Sequence, residues 1–309
     1  MTHPLNALKG HLNYEPSEQL IDKYSYTGDI LSFERCSKQY GKFKHYGFSK
    51  ALPIQAWFGD VVHTCIEFLF RQVKGELKDS LGKVSKGALP SDADVEFHAK
   101  ESIKILKSKG IHGKKKDRLF VVDLLKSFNK KEGLAFYNRI IKSEVRLETI
   151  ISPTTGMPPY VMSGIIDVLA SPKKGVIEIW DYKAMTKPLK GDPKLVPLED
   201  QMFNYVEIVQ ALFPSFKITS AVLYFVNELA PGGSGDPEHR IDLTDPKISA
   251  AITKARDNAN AIVDEIRKAR MSGKFPDPVK GSVEVKTCDA CEWRWTCTSA
   301  SKTYKLQAP

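Results

Sequence analysis

Three consecutive segments in the middle of the chain have the character of β-strands, and they limit the fold more than any other feature. The segments are KSEVRLETI, YVMSGIIDVLA and VIEIWDYKAM, separated by the turn-rich PTTGMPP and by SPKKG. Alternating or continuous apolar residues over this length predict strands. An amphipathic helix, LEDQMFNYVEIVQALF, and a buried strand, KITSAVLYFVNEL, are predicted next. A meander followed by a helical crossover predicts an α/β fold with a mixed central sheet flanked by helices.

Predicted helices precede and follow this region. The apolar spacing of WFGDVVHTCIEFLFRQV, residues 57–73, indicates a buried helix. Residues 75–116 are polar, Lys-rich and broken by Gly and Pro, so we expect an insertion outside the core. Ser32 is a candidate N-cap of a helix through SFERCSKQYGKFKHYGF, and PGGSGDPEH is predicted to be a flexible loop. Further helices are predicted near 93–108 and over 117–142 and 245–271.

We expect four successive segments within one compact unit. They are an N-terminal segment (1–56), a helical region that includes the Lys-rich insertion (57–142), the sheet-forming core (143–227), and a helix followed by a cysteine-containing tail (228–309).

Composition places the chain among ordinary globular proteins. Of its 309 residues, 42% are hydrophobic and 27% are charged, which argues against disorder. A run of about 18 apolar residues is missing and the N-terminal residues lack an apolar signal core, so we expect a cytoplasmic protein with no membrane segment. The 46 Lys and Arg exceed the 37 Asp and Glu, giving a net charge of +9. This surplus favours a polyanionic partner only in combination with a suitable site.

Two acidic residues and a lysine lie on neighbouring predicted strands. Asp167 ends one strand, and Asp181 and Lys183 lie on one face of the next, because side chains alternate along a strand. The SPKKG turn brings Asp167 and Asp181 together. Burying these charges without a partner is unfavourable, and a divalent cation would provide one. A salt-bridged pair at the end of a sheet is the alternative interpretation.

Four short motifs follow one another along these elements: GxxxH at Gly59–His63, GxxD at Gly164–Asp167, DxK at Asp181–Lys183 and QxxxY at Gln201–Tyr205. In this order they resemble the PD-(D/E)XK nuclease superfamily, and most closely its RecB-like branch, which includes AddB nuclease domains and CRISPR-adaptation exonucleases. The αβββαβ order predicted above is the restriction-endonuclease-like core of that superfamily. The resemblance covers residues 57–227 well, except for the Lys-rich region.

The resemblance implies a metal-dependent DNA nuclease, an exonuclease on single-stranded or free-ended DNA. It implies that Mg²⁺ or Mn²⁺ is held by His63, Asp167, Asp181 and the backbone carbonyl of Tyr182. Lys183 would orient or activate the attacking water and offset the phosphate charge.

Other residues would assist this site. The resemblance implies that Gln201 and Tyr205 support it or contact DNA. The chain has Ala184 where the family usually has Thr or Ser, and it therefore lacks that hydroxyl. Glu144 on the first strand is a supporting candidate. Glu67 lies one helical turn after His63, and a surface role is its simpler interpretation.

The five cysteines suggest a second metal site. Three form the C-x2-C-x5-C pattern Cys288, Cys291 and Cys297, and Cys36 lies far upstream. Four thiolates suit Zn²⁺ or an iron–sulfur cluster. One distant N-terminal cysteine plus this spacing resembles the iron–sulfur staple of the RecB-like branch, which implies a structural 4Fe-4S cluster that joins the N- and C-terminal regions. Cys65, inside an apolar helix, is predicted to be a buried inert thiol.

Several biological settings fit these expectations: DNA repair or recombination, CRISPR adaptation, and phage or defence DNA processing. The chain lacks a GxxxxGK[ST] motif, so a helicase would be a separate subunit. One alternative is a non-catalytic DNA-end-binding or scaffolding module of the same fold, although the acids and the lysine are all present. Another is a zinc-stapled nucleic-acid-binding protein.

Overall fold

The computed structural model describes residues 21–48, 54–154, 156–302 and 304. Residues 1–20, on which the expectation of no signal peptide depends, lie outside the described residues. The strands are β1 (Lys23–Ser25), β2 (Ile140–Ile151), β3 (Tyr160–Ala170), β4 (Val176–Lys183), β5 (Lys217–Phe225) and β6 (Glu238–Asp242). The α-helices are α1 (Leu31–Arg35), α2 (Ser37–Tyr40), α3 (Ile54–Lys74), α4 (Asp92–Ser108), α5 (Lys115–Arg139), α6 (Val196–Leu212), α7 (Pro246–Ser272) and α8 (Val285–Asp289).

The chain divides into two compact units, each assembled from separate stretches of sequence. The larger unit contains the described residues of Leu52–Leu147 and Ile165–Ala250. The smaller unit contains those of Ser17–Ala51, Glu148–Gly164 and Ala251–Pro309. The four segment boundaries and the single compact unit expected from the sequence stay predictions.

The predicted mixed sheet flanked by helices is confirmed. β3 pairs with β4 in antiparallel orientation, β4 pairs with β5 in parallel orientation, and β5 pairs with β6 in antiparallel orientation, while β2 also pairs with β3. The predicted αβββαβ order is present as α3, β2, β3, β4, α6 and β5. Val176–Tyr182 of β4 is buried throughout, as expected for a central strand covered on both faces.

Helix α3 has one wide buried face. Its apolar residues recur every three or four positions, and the buried ones are Trp57, Val61, Val62, Cys65, Ile66, Leu69, Phe70 and Val73. This periodicity is the one predicted for a helix over 57–73. Its partly exposed side forms the polar stripe that positions the site described below.

The Lys-rich region contributes to the core, and the expectation that it lies outside was wrong. Helices α4 and α5 place apolar residues such as Val95, Leu106 and Phe128 in the same hydrophobic cluster as α3. Ser91 and Asp94 form a reciprocal capping box that begins α4. The lysines of these helices lie mainly on exposed faces. Composition alone therefore does not reveal the apolar residues buried on their opposite faces.

An aromatic cluster joins α5 to the central strands. The ring of Phe128 makes edge contacts with Phe136, Tyr182 and Tyr224 at centroid distances of 5.7, 5.7 and 5.4 Å. Trp180 stacks on Tyr224 at 5.8 Å. Trp180 and Tyr182 are the neighbours of Asp181 along β4. Their packing therefore fixes the strand at the position of the Asp181 carboxylate.

Two elements of the larger unit end at other residues than the sequence predicts. The helix predicted over 117–142 is kinked at Gly133, where φ is 62°, and it ends at Arg139 because the following residues begin β2. The last two residues of the loop predicted at PGGSGDPEH belong instead to β6, which pairs with the edge of β5.

In the smaller unit, the helix predicted from Ser32 is interrupted at Cys36. This residue is extended, with φ of −167° and ψ of 99°, and its sulfur accepts a hydrogen bond from the Gln39 amide at 3.4 Å. Cys36 thus caps α2 instead of continuing α1. Short β1, where the sequence predicts no element, pairs with β3 in parallel, with Lys23 opposite Val161.

Among the described residues, no helix combines the length and apolar character that crossing a membrane requires.

The aromatic cluster gives a test of the fold. We expect Phe128→Ala to lower the free energy of unfolding by about 3–5 kcal/mol, because it removes a fully buried ring that contacts three others. Leu119→Ala, on the same helix but 65% exposed, should change it by less than about 0.5 kcal/mol. Urea denaturation of both variants measures the difference. Equal losses would contradict the role assigned to the cluster.

Candidate functional site

Asp167 lies where β3 and β4 stop pairing. The antiparallel register places Val168 opposite Trp180, so the next positions are Asp167 and Asp181. Instead of a backbone oxygen, Oδ2 of Asp167 accepts the hydrogen bond of the Tyr182 amide, at 2.6 Å. The sequence predicted the two acids on neighbouring strands, but β3 continues to Ala170 rather than ending at Asp167.

His63 approaches the other oxygen of Asp167 and also lies close to Glu144. Nδ1 of His63 lies 3.3 Å from Asp167 Oδ1 and 3.4 Å from Glu144 Oε1. One ligand atom from each of the three residues lies within 4.8 Å of the others. One imidazole and two carboxylates in this proximity suit a divalent first-row cation or Mg²⁺.

Glu144 reaches His63 through an unusual backbone conformation. Its φ is 48°, in the left-handed region that L-residues rarely adopt within a strand. Such a conformation costs roughly 1–2 kcal/mol, and strain of this kind concentrates at functional sites. The sequence indicated Glu144 only as a supporting candidate, because nothing in its neighbours predicts a positive φ.

A second network connects the remaining motif residues. Gln201 Oε1 accepts a hydrogen bond from Lys183 Nζ at 2.8 Å, while its Nε2 donates to Asp181 Oδ1 at 2.9 Å and to Tyr205 Oη at 2.8 Å. Lys183 Nζ also lies 2.6 Å from Asp181 Oδ2. Since only one orientation of the amide satisfies all three contacts, Gln201 fixes the positions of the acid and the lysine. Both Gln201 and Tyr205 are buried.

The neighbouring carboxylates shift the pKa values of His63 and Asp167. Burial by itself lowers the pKa of His63, but the adjacent Asp167 and Glu144 outweigh burial and hold that pKa well above its ordinary value. Burial raises the pKa of Asp167; His63 opposes this rise and Asp181 adds to it. The buried acids therefore repel one another, and a bound cation would relieve that repulsion.

Two sequence candidates lie close to the three-residue group but are not part of it. Asp181 pairs with Lys183 and does not join His63, Glu144 and Asp167 among the described ligand atoms. Glu67 pairs with Arg71 at 3.7 Å, and burial together with the charge of Glu144 raises its pKa.

In the smaller unit, four cysteines line one small cavity. They are Cys36, Cys288, Cys291 and Cys297, and the cavity has a volume of about 20 Å³. All four are free thiols, and burial followed by the nearby thiols raises the pKa of Cys36. In the larger unit Cys65 is fully buried, and burial raises its pKa.

The four thiols do not form a tight three-membered cluster among the described residues. Tetrahedral zinc with Zn–S bonds of about 2.3 Å brings its sulfurs to about 3.8 Å from one another. Within the described part of the chain, no three of the cysteine sulfurs lie within 4.8 Å of one another.

A family model and one of two solved structures agree with the fold. The family model described as the PD-(D/E)XK nuclease superfamily matches residues 28–298. A solved structure of a protein from Eubacterium rectale, named as a candidate exonuclease, is 14% identical, with a TM-score of 0.51 over 93% of this chain and 90% of that one. The solved structure of SSO0001 is 13% identical over 96% and 94% of the two chains, with a TM-score of 0.35. No curated protein sequence matches significantly.

Substitutions at Glu144 separate strain from ligation. In metal-free buffer we expect Glu144→Gly to be more stable than Glu144→Gln by about 1 kcal/mol, because glycine adopts positive φ freely and both variants remove the charge. Both should bind Mn²⁺ at least tenfold more weakly than the parent. Urea denaturation and calorimetric titration measure the two effects. Parent-like Mn²⁺ affinity in either variant would exclude Glu144 as a ligand.

Proposed function

The chain belongs to the PD-(D/E)XK nuclease superfamily, and we propose that it is a divalent-metal-dependent deoxyribonuclease that acts as an exonuclease on single-stranded or free-ended DNA. The observation that carries this proposal is the convergence of His63, Glu144 and Asp167 beside the network of Asp181 and Lys183. A non-catalytic module would have no need to retain this buried, mutually repelling set of charges.

The donor set fits Mg²⁺ or Mn²⁺. His63, Glu144 and Asp167 would hold the ion, with Asp181 and the Tyr182 carbonyl as further ligands. Oxygen donors suit both metals, and the imidazole nitrogen favours Mn²⁺ at least as much as Mg²⁺. When bound, such an ion polarises the phosphoryl oxygen and acidifies a water molecule.

The residues around this position have separate tasks in phosphodiester hydrolysis. The ammonium of Lys183 donates a hydrogen bond to Gln201 Oε1 and forms an ion pair with Asp181, and its three donors leave capacity for a water or a phosphate oxygen. Lys183 would orient the attacking water and offset phosphate charge. Gln201 is a positioning residue, because it holds the lysine and the acid in one geometry, and Tyr205 holds the Gln201 amide.

DNA is the proposed partner of this site. The net charge of +9 favours a polyanion, since binding releases counterions from the nucleic acid. A separate helicase or other DNA-processing subunit would supply unwinding in DNA repair, CRISPR adaptation or phage and defence processing. In each setting the cytoplasm is the proposed location. The alternative, a DNA-end-binding module without activity, is an outcome of the first test below.

For the smaller unit we propose a structural 4Fe-4S cluster on Cys36, Cys288, Cys291 and Cys297. The support is that four free thiols line one cavity, and that one distant cysteine plus the C-x2-C-x5-C spacing resembles an iron–sulfur staple. The matched family region, residues 28–298, also includes all four. When bound, the cluster would tie together stretches of the smaller unit that lie far apart in sequence.

Lys183→Ala tests the nuclease proposal. The parent should degrade end-labelled linear single-stranded DNA with Mg²⁺ or Mn²⁺ but not with EDTA, and it should leave circular single strands intact. Lys183→Ala should cut on the order of 100-fold more slowly, because the attacking water loses its orienting cation, while DNA binding persists. Lys190→Ala, which changes an exposed lysine, is the matched control. DNA binding by the parent without any cleavage would favour the non-catalytic alternative.

Cys36→Ala tests the cluster against zinc. Anaerobically purified parent should be brown, and Cys36→Ala should lose its iron and be destabilised by as much as about 5 kcal/mol, the scale of closing a very long loop. Cys65→Ala should keep its colour and activity, since Cys65 lies in the other unit. Iron content, zinc content and melting temperature distinguish the variants. A colourless parent containing zinc would overturn the cluster.

A further inference from the structure

A polar stripe runs along the partly exposed side of α3. Asp60, His63, Glu67, Arg71 and Lys74 are spaced three or four residues apart and are all half-buried. This spacing places them on one face of the helix. The stripe therefore continues from the proposed metal ligand His63 to two cations at the end of the helix.

A cleft of about 620 Å³ opens along the far part of this stripe, between the end of α3 and the start of β2. Ser143, which lines the cleft, directly precedes Glu144, and Glu67 lies one turn beyond His63. The cleft thus begins beside the candidate metal site and leads away from it. Its lining includes the cations Arg71, Lys74, Arg139 and Lys142 and the apolar Phe70 and Ile141.

Positive charge predominates in this cleft. Four cations line it against two acids, Glu67 and Glu76, and Arg71 already faces both acids at 3.7 and 3.5 Å. Neither Lys74 nor Lys142 forms an ion pair with a carboxylate of the described residues. Burial lowers the pKa of Lys74, so its cation is incompletely compensated. A bound anion would supply the missing compensation.

We propose that this cleft binds the phosphate backbone of single-stranded DNA adjacent to the bond that is cut, an inference that rests on the proposed nuclease function. Lys74 and Lys142 contact phosphates, and the apolar side of Ile141 packs against a sugar or base. A cleft of this volume accepts a ligand of drug-like size, which corresponds to about one or two nucleotides. The proposed occupant is therefore a short stretch of one DNA strand.

Salt-dependent binding tests the proposal. Fluorescence anisotropy with a labelled oligo(dT), in EDTA to prevent cleavage, gives the slope of log affinity against log salt for the parent, Lys74→Gln and Lys142→Gln. Each variant should reduce the slope by about 0.7, the value for one phosphate contact on a single strand. Lys100→Gln removes one charge from an exposed lysine paired with Glu96 and should leave the slope unchanged.

The outcomes separate this inference from the nuclease proposal. Parent-like slopes in both cleft variants would overturn the inference, whereas the nuclease proposal stands if the parent still cleaves DNA. If the parent binds single strands but never cleaves them, the nuclease proposal is refuted. The salt slopes of the two cleft variants then decide whether the cleft binds the strand. Lys142 lies near the candidate ligand Glu144, so calorimetry must check that Lys142→Gln keeps the Mn²⁺ affinity of the parent. If that affinity falls, the slope of Lys74→Gln alone tests the inference.

Discussion

The structure around the candidate site depends on how a single buried carboxylate, Asp167, is accommodated. Pairing between β3 and β4 ends at Val168 and Trp180, which leaves the Tyr182 amide without a backbone acceptor from β3, and Asp167 fills that role. Its second oxygen then faces His63 on α3. The carboxylate thus completes the sheet on one side and is a candidate metal ligand on the other. This dual use explains why the acids gather where the strands separate: the freed backbone donor and the open space occur at the same position.

The parts of the site that depend on local periodicity could be predicted from the sequence. Strand alternation places Asp181 and Lys183 on one face, and a tight turn brings Asp167 beside Asp181. Contacts that depend on packing between elements could not be predicted. Glu144 reaches His63 only because its φ is 48°, and glutamate has no preference that would reveal this. The joining role of Gln201 likewise requires the position of α6 against β4, whereas the sequence shows only its spacing from Tyr205.

The fold shows the same distinction between local and distant determinants. The apolar run of β3 matches the predicted segment, because a strand buried on both sides carries its own signal. β6 has no such pattern and forms because the edge of β5 offers it unpaired hydrogen-bonding groups. At Cys36 the backbone is extended and the sulfur accepts a hydrogen bond from the Gln39 amide, which interrupts the predicted helix. Turning the chain there places the thiol in the cavity shared with Cys288, a requirement set by residues distant in sequence.

Helix α3 links core packing to the proposed chemistry. Its buried face fixes its rotation, and each residue along a helix turns by about 100°, so a shift of one position would carry His63 out of reach of Asp167. That face packs against α4 and α5, the helices of the Lys-rich region, within one hydrophobic cluster. These helices provide no candidate ligand among the described residues, yet they determine where the stripe of α3 points. The same rotation that aims His63 at the acids places Arg71 and Lys74 along the cleft, so one packing arrangement sets both the proposed metal site and the proposed path of the strand.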